Sequence, residues 1–390
     1  MKKFLLIILF TFVCFFIFST LITEKVQKET VSFSSWGSQT EVKILKEILS
    51  DFEKETGILV DFQHIPQNYF QKIHLLFASN LEPDVVFINN HYIKMYVDAN
   101  LLEDLTPILK DEDAYHKVAL DCFKSKDKIY AIPRDISALV LYVNKEIIKE
   151  TIKPKTIYEL KDIATKYTSN KYWGINYEED PLFWLYYLVS NGGGIISDNL
   201  EKIIINKKES IDALNLYSDF AHKYHIAPTK SEIGSMTTAQ MFINGKLAIY
   251  LGGRWMLPKF EETIDFPFEI IEFPASKENK IYVDASGWAI SRNSKNKENA
   301  VKLVKYLSSE KSAIKLAASE LITPARKIKQ NNEFLTFTTM LENTKPTPTT
   351  KYYGKINDIL KSKTEGILNG KEHAEDIFCE KTVKELEGLL

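Results

Sequence analysis

Arg134 and Asp135, adjacent in the stretch IYAIPRDISALVLYVN at 129–144, are the most chemically suggestive pair in this chain. Two apolar runs flank Pro133-Arg134-Asp135, where a buried strand tolerates neither proline nor charge. Such a corner reads as a crossing between two lobes, with the pair in the crevice. There the two groups can clamp each other, or offer charge-assisted hydrogen bonds to a ligand. A second set is aromatic. Of the five tryptophans, Trp36, Trp255 and Trp288 fall at expected loops or turns, Trp184 lies in the aromatic run PLFWLYYLV, and Trp173 in KYWGI reads as core. Flat rings at a crevice stack on apolar ligand faces, and Tyr177 is a further candidate. Asn89 and Asn90 follow an apolar run read as a parallel strand, at the carboxyl edge where such lobes hold ligands. Asn90 can equally cap the next helix. Arg254, Ser286 and Arg326 stand at further expected turns or crossings. Asp84, after Pro83 at a strand entrance, reads as structural.

Bond-breaking chemistry has little to work with. There is no G-x-S-x-G, no H-E-x-x-H and no nucleophile beside a base. A glycoside hydrolase needs two carboxylates facing each other across its site. Asp135 and Asp284 are the only acidic residues near crossings, and neither has an evident partner role. The three cysteines, at 14, 122 and 379, form no metal-ligand spacing, and a bond between Cys122 and Cys379 stays open. No cofactor is implied. The net charge of −2 gives no reason to expect nucleic acid or an anionic membrane surface as a partner.

The elements that must position these residues follow from periodicity. With 390 residues, 45% of them hydrophobic and 26% charged, two globular domains are expected. Residues 30–36 alternate as a strand. Ser38-Gln39-Thr40-Glu41 is a capping box opening a helix with Val42, Leu45, Ile48, Leu49 and Phe52 on one face. Gly57 stops that helix in the left-handed conformation. A strand at 58–63, a helix at 69–79 and a doubly buried strand at 85–88 complete a parallel α/β lobe. Beyond the crossing, Thr156-Ile157-Tyr158-Glu159 opens another capped helix, and Asp180-Pro181 starts the aromatic helix that Gly192-Gly193-Gly194 ends. Those glycines lack the Gly-Lys-Ser/Thr of a phosphate loop. Helices at 210–224 and 237–244, a strand at 247–250 and a tight loop at Gly252-Gly253-Arg254-Trp255 follow. Residues 281–284 run through Ala285-Ser286-Gly287 into 288–291, a second expected crossing. Helices at 297–307 and 310–318 return to the first lobe. Residues 321–326 form a third crossing, and 334–390 read as largely helical.

Several stretches, in this order, are similar to the extracellular solute-binding proteins of ABC importers, in the carbohydrate-binding family that includes maltose-binding protein. They are SSWG at 34–37, FEKETGILV at 52–60, ASNLEPDVVFI at 78–88, ANLLEDLTPIL at 99–109, DKIYAIPRDISALVLYVNKE at 127–146, PKTIYEL at 154–160, FINGKLAIYLGGRWML at 242–257, ASGWAISRNSKNKENAVKLVKYLSSE at 285–310 and TPAR at 323–326. The resemblance implies an α/β, two-lobed periplasmic-binding-protein fold of type II, with discontinuous lobes joined by hinge crossings. The expected lobes are 29–134 plus 287–325, and 135–286 plus 326–390. It implies a non-catalytic, monomeric protein that binds a carbohydrate in the cleft and hands it to a membrane permease. The ligand-binding set is then Trp36, Asn89, Asn90, Arg134, Asp135, Tyr177, Trp184, Arg254, Trp255, Ser286, Trp288 and Arg326. Other cargoes on the same fold are a polyamine or ferric ion, the latter suggested by Tyr352-Tyr353; a sensor kinase is the other possible partner. At the N-terminus Lys2 and Lys3 precede a run at 4–22 that is apolar but for Thr11, Ser19 and Thr20. This is an export signal or an uncleaved anchor spanning 1–28. A lipoprotein reading of Cys14 lacks the small residue expected before it. The folded part is expected outside the cytoplasm.

Overall fold

The computed structural model describes residues 29–275, 278–329 and 335–390. The expected export segment at 1–28 lies outside them. Eleven strands are used below, in chain order: β1 (Thr30–Ser35), β2 (Leu59–His64), β3 (Val85–Asn89), β4 (Ile132–Ser137), β5 (Leu139–Asn144), β6 (Trp173–Ile175), β7 (Leu247–Gly253), β8 (Phe268–Glu272), β9 (Ile281–Ile290), β10 (Thr323–Pro324) and β11 (Thr344–Pro346). The seven helices needed are α1 (Gln39–Thr56), α2 (Tyr69–Ala78), α3 (Asn90–Asp98), α4 (Pro181–Ser190), α5 (Lys297–Leu307), α6 (Glu310–Ala317) and α7 (Tyr353–Leu368).

The first sheet has the order β10-β4-β9-β3-β1-β2, with β11 beside the start of β9. Its β2-β1-β3 part is parallel, as the strand-helix alternation requires, and β9 and β4 join antiparallel. The second sheet has the order β8-β5-β7-β6. Mostly apolar residues bury both faces of β5 and β7, so these strands read as continuous runs rather than alternations. Local signals act as the sequence indicates. Ser38 and Glu41 form the reciprocal capping box of α1, and Gly57 ends that helix at φ 75°. Thr156 caps its helix by accepting from the Glu159 N–H, but the Glu159 carboxylate reaches the Lys155 N–H instead of completing the box.

The crossings differ from expectation. Arg134 and Asp135 both belong to β4, which stays in the first sheet as far as Ser137; only Ala138 separates it from β5 in the second. Proline and charge are tolerated inside β4 because Arg134 and Asp135 neutralise each other and Pro133 sits beside a bulge at Ser286/Gly287. The second crossing precedes β9, between Glu272 and Ile281. Ala285-Ser286-Gly287 runs on within one ten-residue strand of the first sheet, and the extra residue of the bulge is Arg134 on β4, since Ser286 pairs with Asp135 and Gly287 with Pro133. Residues 135–137 and 281–286 therefore belong to the first sheet. Gly252 and Gly253 are the last residues of β7 rather than a loop. Thr323 and Pro324 pair with β4, so the chain leaves the first sheet only after them. Cys122 is buried, Cys379 is exposed, and the two are not bonded.

Asp84 joins the entrance of β3 to its neighbours. Its carboxylate accepts from the Ser32 N–H at 2.9 Å, the Ser32 hydroxyl at 2.7 Å, the Ser294 hydroxyl at 2.6 Å and the Asn296 amide at 3.2 Å. Burial opposes its charge, but these hydrogen bonds outweigh it and hold its pKa below the usual carboxylate value. A depressed pKa contributes stability above the ordinary carboxylate range, lost as pH falls through the folded value. Asp84→Ala is expected to cost about 2–3 kcal/mol at pH 7, because charged hydrogen bonds are broken and buried donors orphaned. The difference from wild type should shrink as pH is lowered toward 3 in urea titrations. Gly287→Ala places a Cβ 2.5 Å from the Ile132 carbonyl oxygen, a backbone atom that cannot yield. A loss of about 1–3 kcal/mol is expected from that overpacking.

Candidate ligand-binding site

Between the two sheets lies a cavity of about 670 Å³. Its first wall is built on the β1-β3-β9-β4 edge, where a parallel lobe ends its strands. Trp36 follows β1, and Asn89 ends β3. One rung of the sheet pairs Asn89 with Ser286, and Ser286 with Asp135, so three polar residues on three adjacent strands stand side by side. The opposing wall comes from the second sheet and α4: Leu139 opens β5, Arg254 and Trp255 follow β7, and Leu182 and Tyr186 stand one helical turn apart on α4.

Arg134 is the centre of the first wall. Its Nε donates to Asp135 Oδ2 at 2.5 Å and its Nη2 to Glu41 Oε1 at 3.0 Å. Its guanidinium lies 5.2 Å from the ring centre of Phe87 and 5.6 Å from that of Trp288. Burial works against this charge, but Asp135 and Glu41 overcome it and raise the arginine's pKa. Glu41 has a second duty, since its Oε2 accepts the Ser38 N–H in the capping box. Asp135 Oδ2 also accepts the Ser286 hydroxyl at 2.6 Å. At the hinge end, Asp284 Oδ1 meets His91 Nε2 at 2.7 Å and the Asn90 amide at 3.2 Å. Burial would raise the Asp284 pKa, yet His91 and the hydrogen bonds around it win and lower it.

Seven of the residues singled out from sequence line this cavity: Trp36, Asn89, Arg134, Asp135, Arg254, Trp255 and Ser286. Trp36 and Trp255 are 43% and 40% exposed, one from each sheet, unusual for rings of this size. Five do not line it. Trp288 is fully buried behind Arg134, edge-on to Phe33 at 5.4 Å, and belongs to the first core. Trp184 is fully buried too, because two residues from Leu182 on a helix is the opposite face. Tyr177 stacks on Tyr217 at 4.8 Å, with its hydroxyl donating to the Leu368 carbonyl. Asn90 holds Asp284 and accepts the Ala285 N–H, a clamp rather than a wall. Arg326 pairs with Asp111 at 2.5 Å and lies over the Tyr115 ring, away from the cavity. The Tyr352-Tyr353 pair splits: Tyr353 stacks on His91 at 4.2 Å while Tyr352 is exposed.

Sequence reasoning missed Phe87, Glu41, Leu182 and Tyr186. The i, i+4 spacing of Leu182 and Tyr186 was available, but no helix-wide apolar pattern distinguishes their face in so apolar a segment. Among the described residues no group of three or more His, Cys, Asp or Glu could hold a metal ion, and no helix is long and apolar enough to cross a membrane.

The two-sheet architecture with an interposed cavity is that of a two-lobed solute receptor. The chain belongs to the bacterial extracellular solute-binding proteins, whose family profile matches residues 47–339. The galactooligosaccharide-binding protein of Bacillus subtilis is 24% identical over 291 residues, covering 71% of this chain and 69% of its own. The maltodextrin-binding protein MdxE of the same organism is 22% identical over 293 residues, covering 70% and 68%. Among solved structures, an ABC substrate-binding protein from Listeria monocytogenes in complex with cycloalternan superposes with a TM-score of 0.81 at 25% identity. That alignment covers 93% of this chain and 100% of the other. The Thermus thermophilus maltotriose-binding protein gives a TM-score of 0.76 at 21% identity, covering 92% and 99%. These likenesses establish the fold as the type II, two-lobed periplasmic-binding-protein fold.

The tryptophans separate experimentally. Trp288→Ala empties a filled core site and should destabilise the fold by about 3–5 kcal/mol in denaturant titrations. Trp36→Ala and Trp255→Ala, which remove half-exposed rings, should shift stability by no more than about 1 kcal/mol.

Proposed function

We propose that this chain captures a carbohydrate of oligosaccharide size in the cavity and delivers it to an ABC permease by closing its lobes. The observation that carries the reading is the pair of half-exposed rings, Trp36 and Trp255, on opposite walls of a cavity with polar groups on its floor. Sugar rings present apolar C–H faces to aromatic side chains and hydroxyls to planar polar groups. The volume, about 670 Å³, falls in the usual range for small-molecule sites. The names of the relatives, galactooligosaccharide- and maltodextrin-binding, and the sugars in the solved structures support the same class of cargo.

The lobes on this reading are 29–137 with 281–326, and 138–275 with the C-terminal helices, joined where the sheets exchange chain. Ligand contacts drawn from both walls at once exist only when the lobes approach. Binding therefore shifts the population toward the closed form by the difference in affinity between states. A permease that reads the closed surface then discriminates loaded from empty receptor. The protein performs no reaction in this scheme. Asp284, the other aspartate of the cavity wall, is tied up by His91 and Asn90, which hold it ionised as a structural clamp. The segment 1–28 would export or tether the receptor on the outer side of the cytoplasmic membrane, acting as a monomer.

A thermal-shift screen of the purified protein against mono- and oligosaccharides, polyamines and ferric salts tests the reading. A ligand that binds only the folded state raises Tm by mass action. Stabilisation by an oligosaccharide is expected, and stabilisation by polyamine or iron alone would discard the sugar reading. Trp255→Ala should weaken the identified sugar at least about tenfold in calorimetric titrations, the value of one lost stacking contact.

A further inference from the structure

We propose that the cavity selects against acidic sugars, and that Asp135 is the residue that sets this charge preference; the inference rests on the carbohydrate reading above. Among the described residues, the cavity wall contains three carboxylates, Glu41, Asp135 and Asp284, and two guanidiniums, Arg134 and Arg254, but no lysine. What matters is which of these charges a ligand meets.

The cation of the floor, Arg134, is committed to protein carboxylates, and Arg254 is buried in the opposing wall. Arg134 spends its Nε on Asp135 and its Nη2 on Glu41, with its face against Phe87 and Trp288. Arg254 is 2% exposed, donates its Nε to the Ile322 carbonyl at 3.0 Å, and lies 4.8 Å from the centre of the Phe337 ring. Among the carboxylates, Glu41 has one oxygen on Arg134 and the other on the Ser38 N–H, and Asp284 is held by His91 and Asn90. Asp135 differs. Its Oδ2 takes both Arg134 and Ser286, and its Oδ1 accepts no further hydrogen bond from the described residues.

The Glu41-Arg134-Asp135 cluster therefore holds two negative charges against one positive, and its open lone pairs belong to Asp135. At the other end of the same rung, the buried Asn89 Oδ1 is also an acceptor without a partner. With strands about 4.8 Å apart, the two acceptors stand roughly 10 Å apart across Ser286. The Ser286 hydroxyl between them donates to Asp135, leaving only its acceptor capacity. This floor asks its ligand for donors. A neutral sugar supplies hydroxyls along that length. A uronic or phosphorylated sugar brings a further anion beside this net-negative cluster in a desolvated cavity, and like charges at such distances repel strongly.

Calorimetric titration of the full chain with maltotriose and a galactotriose, each beside its derivative carrying one terminal uronic acid, tests the proposal. The neutral member of whichever pair binds should be favoured at least about thirtyfold, the repulsion expected near 6–8 Å at an intermediate dielectric. Asp135→Asn should reduce that preference at least tenfold. Asn89→Asp, which adds a negative charge at the far end of the rung without touching the Arg134 cluster, should widen it. Equal affinity for neutral and acidic members in the wild type would overturn the charge preference and leave the sugar reading standing. A preference unchanged in both variants would overturn the role of Asp135. Binding of none of the four sugars, while a polyamine or ferric salt stabilises the protein, would overturn the sugar reading and this inference with it.

Discussion

The burial of one arginine organises the cleft. Arg134 sits inside a strand, against the Phe87 and Trp288 rings, and its charge is held by the carboxylates of its neighbour Asp135 and of the distant Glu41. Removing a guanidinium from water costs several kcal/mol, repaid only when geometry is good and its hydrogen bonds are satisfied. Here Glu41 arrives from the first turn of α1, and Asp135 from the next position on β4. The cap that starts the first long helix and the floor of the cavity are thus parts of one electrostatic unit. A shift of α1 would disturb the cap, the arginine and the polar rung together.

That unit also explains how the two sheets can be joined so tightly. The chain passes from β4 to β5 across Ala138 alone, and both strands are buried along nearly their whole length. A passage this short leaves little freedom near the hinge, so relative motion of the sheets must be absorbed at the three exchanges of chain between them. The Asn90 and His91 contacts to Asp284 lie at the second of these, where β9 runs past α3. The partly exposed rings of Trp36 and Trp255 stand on opposite walls of the cavity.

Local chemistry was legible in the sequence wherever one residue's conformation or one periodicity sufficed. The α1 capping box, the Gly57 stop, the β1-α1-β2-α2-β3 alternation and the aromatic helix after Asp180-Pro181 all appear close to their expected bounds. So did the membership of Trp36, Asn89, Arg134, Asp135, Arg254, Trp255 and Ser286 in the cavity wall, since strand ends and polar interruptions mark where a backbone can face a crevice. The sites of chain crossing were less visible. Pro133-Arg134-Asp135 and Ala285-Ser286-Gly287 interrupt an apolar pattern, and an interruption is the same signal whether the strand ends, bulges or buries a neutralised pair. The pairing of Asp135 with Ser286 across the β4-β9 bulge makes those two interruptions one feature, and no spacing along the chain encodes it.

By itself the sequence determined the secondary elements, the two-lobed α/β class and the side chains available for recognition, because these depend on short-range propensity, capping and hydrophobic period. Only the tertiary structure decided which aromatic and charged groups a ligand can reach. Trp288 and Trp36 are indistinguishable as types at turn-like positions, yet one fills the core behind Arg134 and the other stands at the rim. Arg326 and Arg134 are each one more arginine near a strand, yet one pairs with Asp111 away from the cleft and the other anchors its floor. Exposure and partnership depend largely on contacts between residues far apart in the chain, set by packing and by register across the sheet.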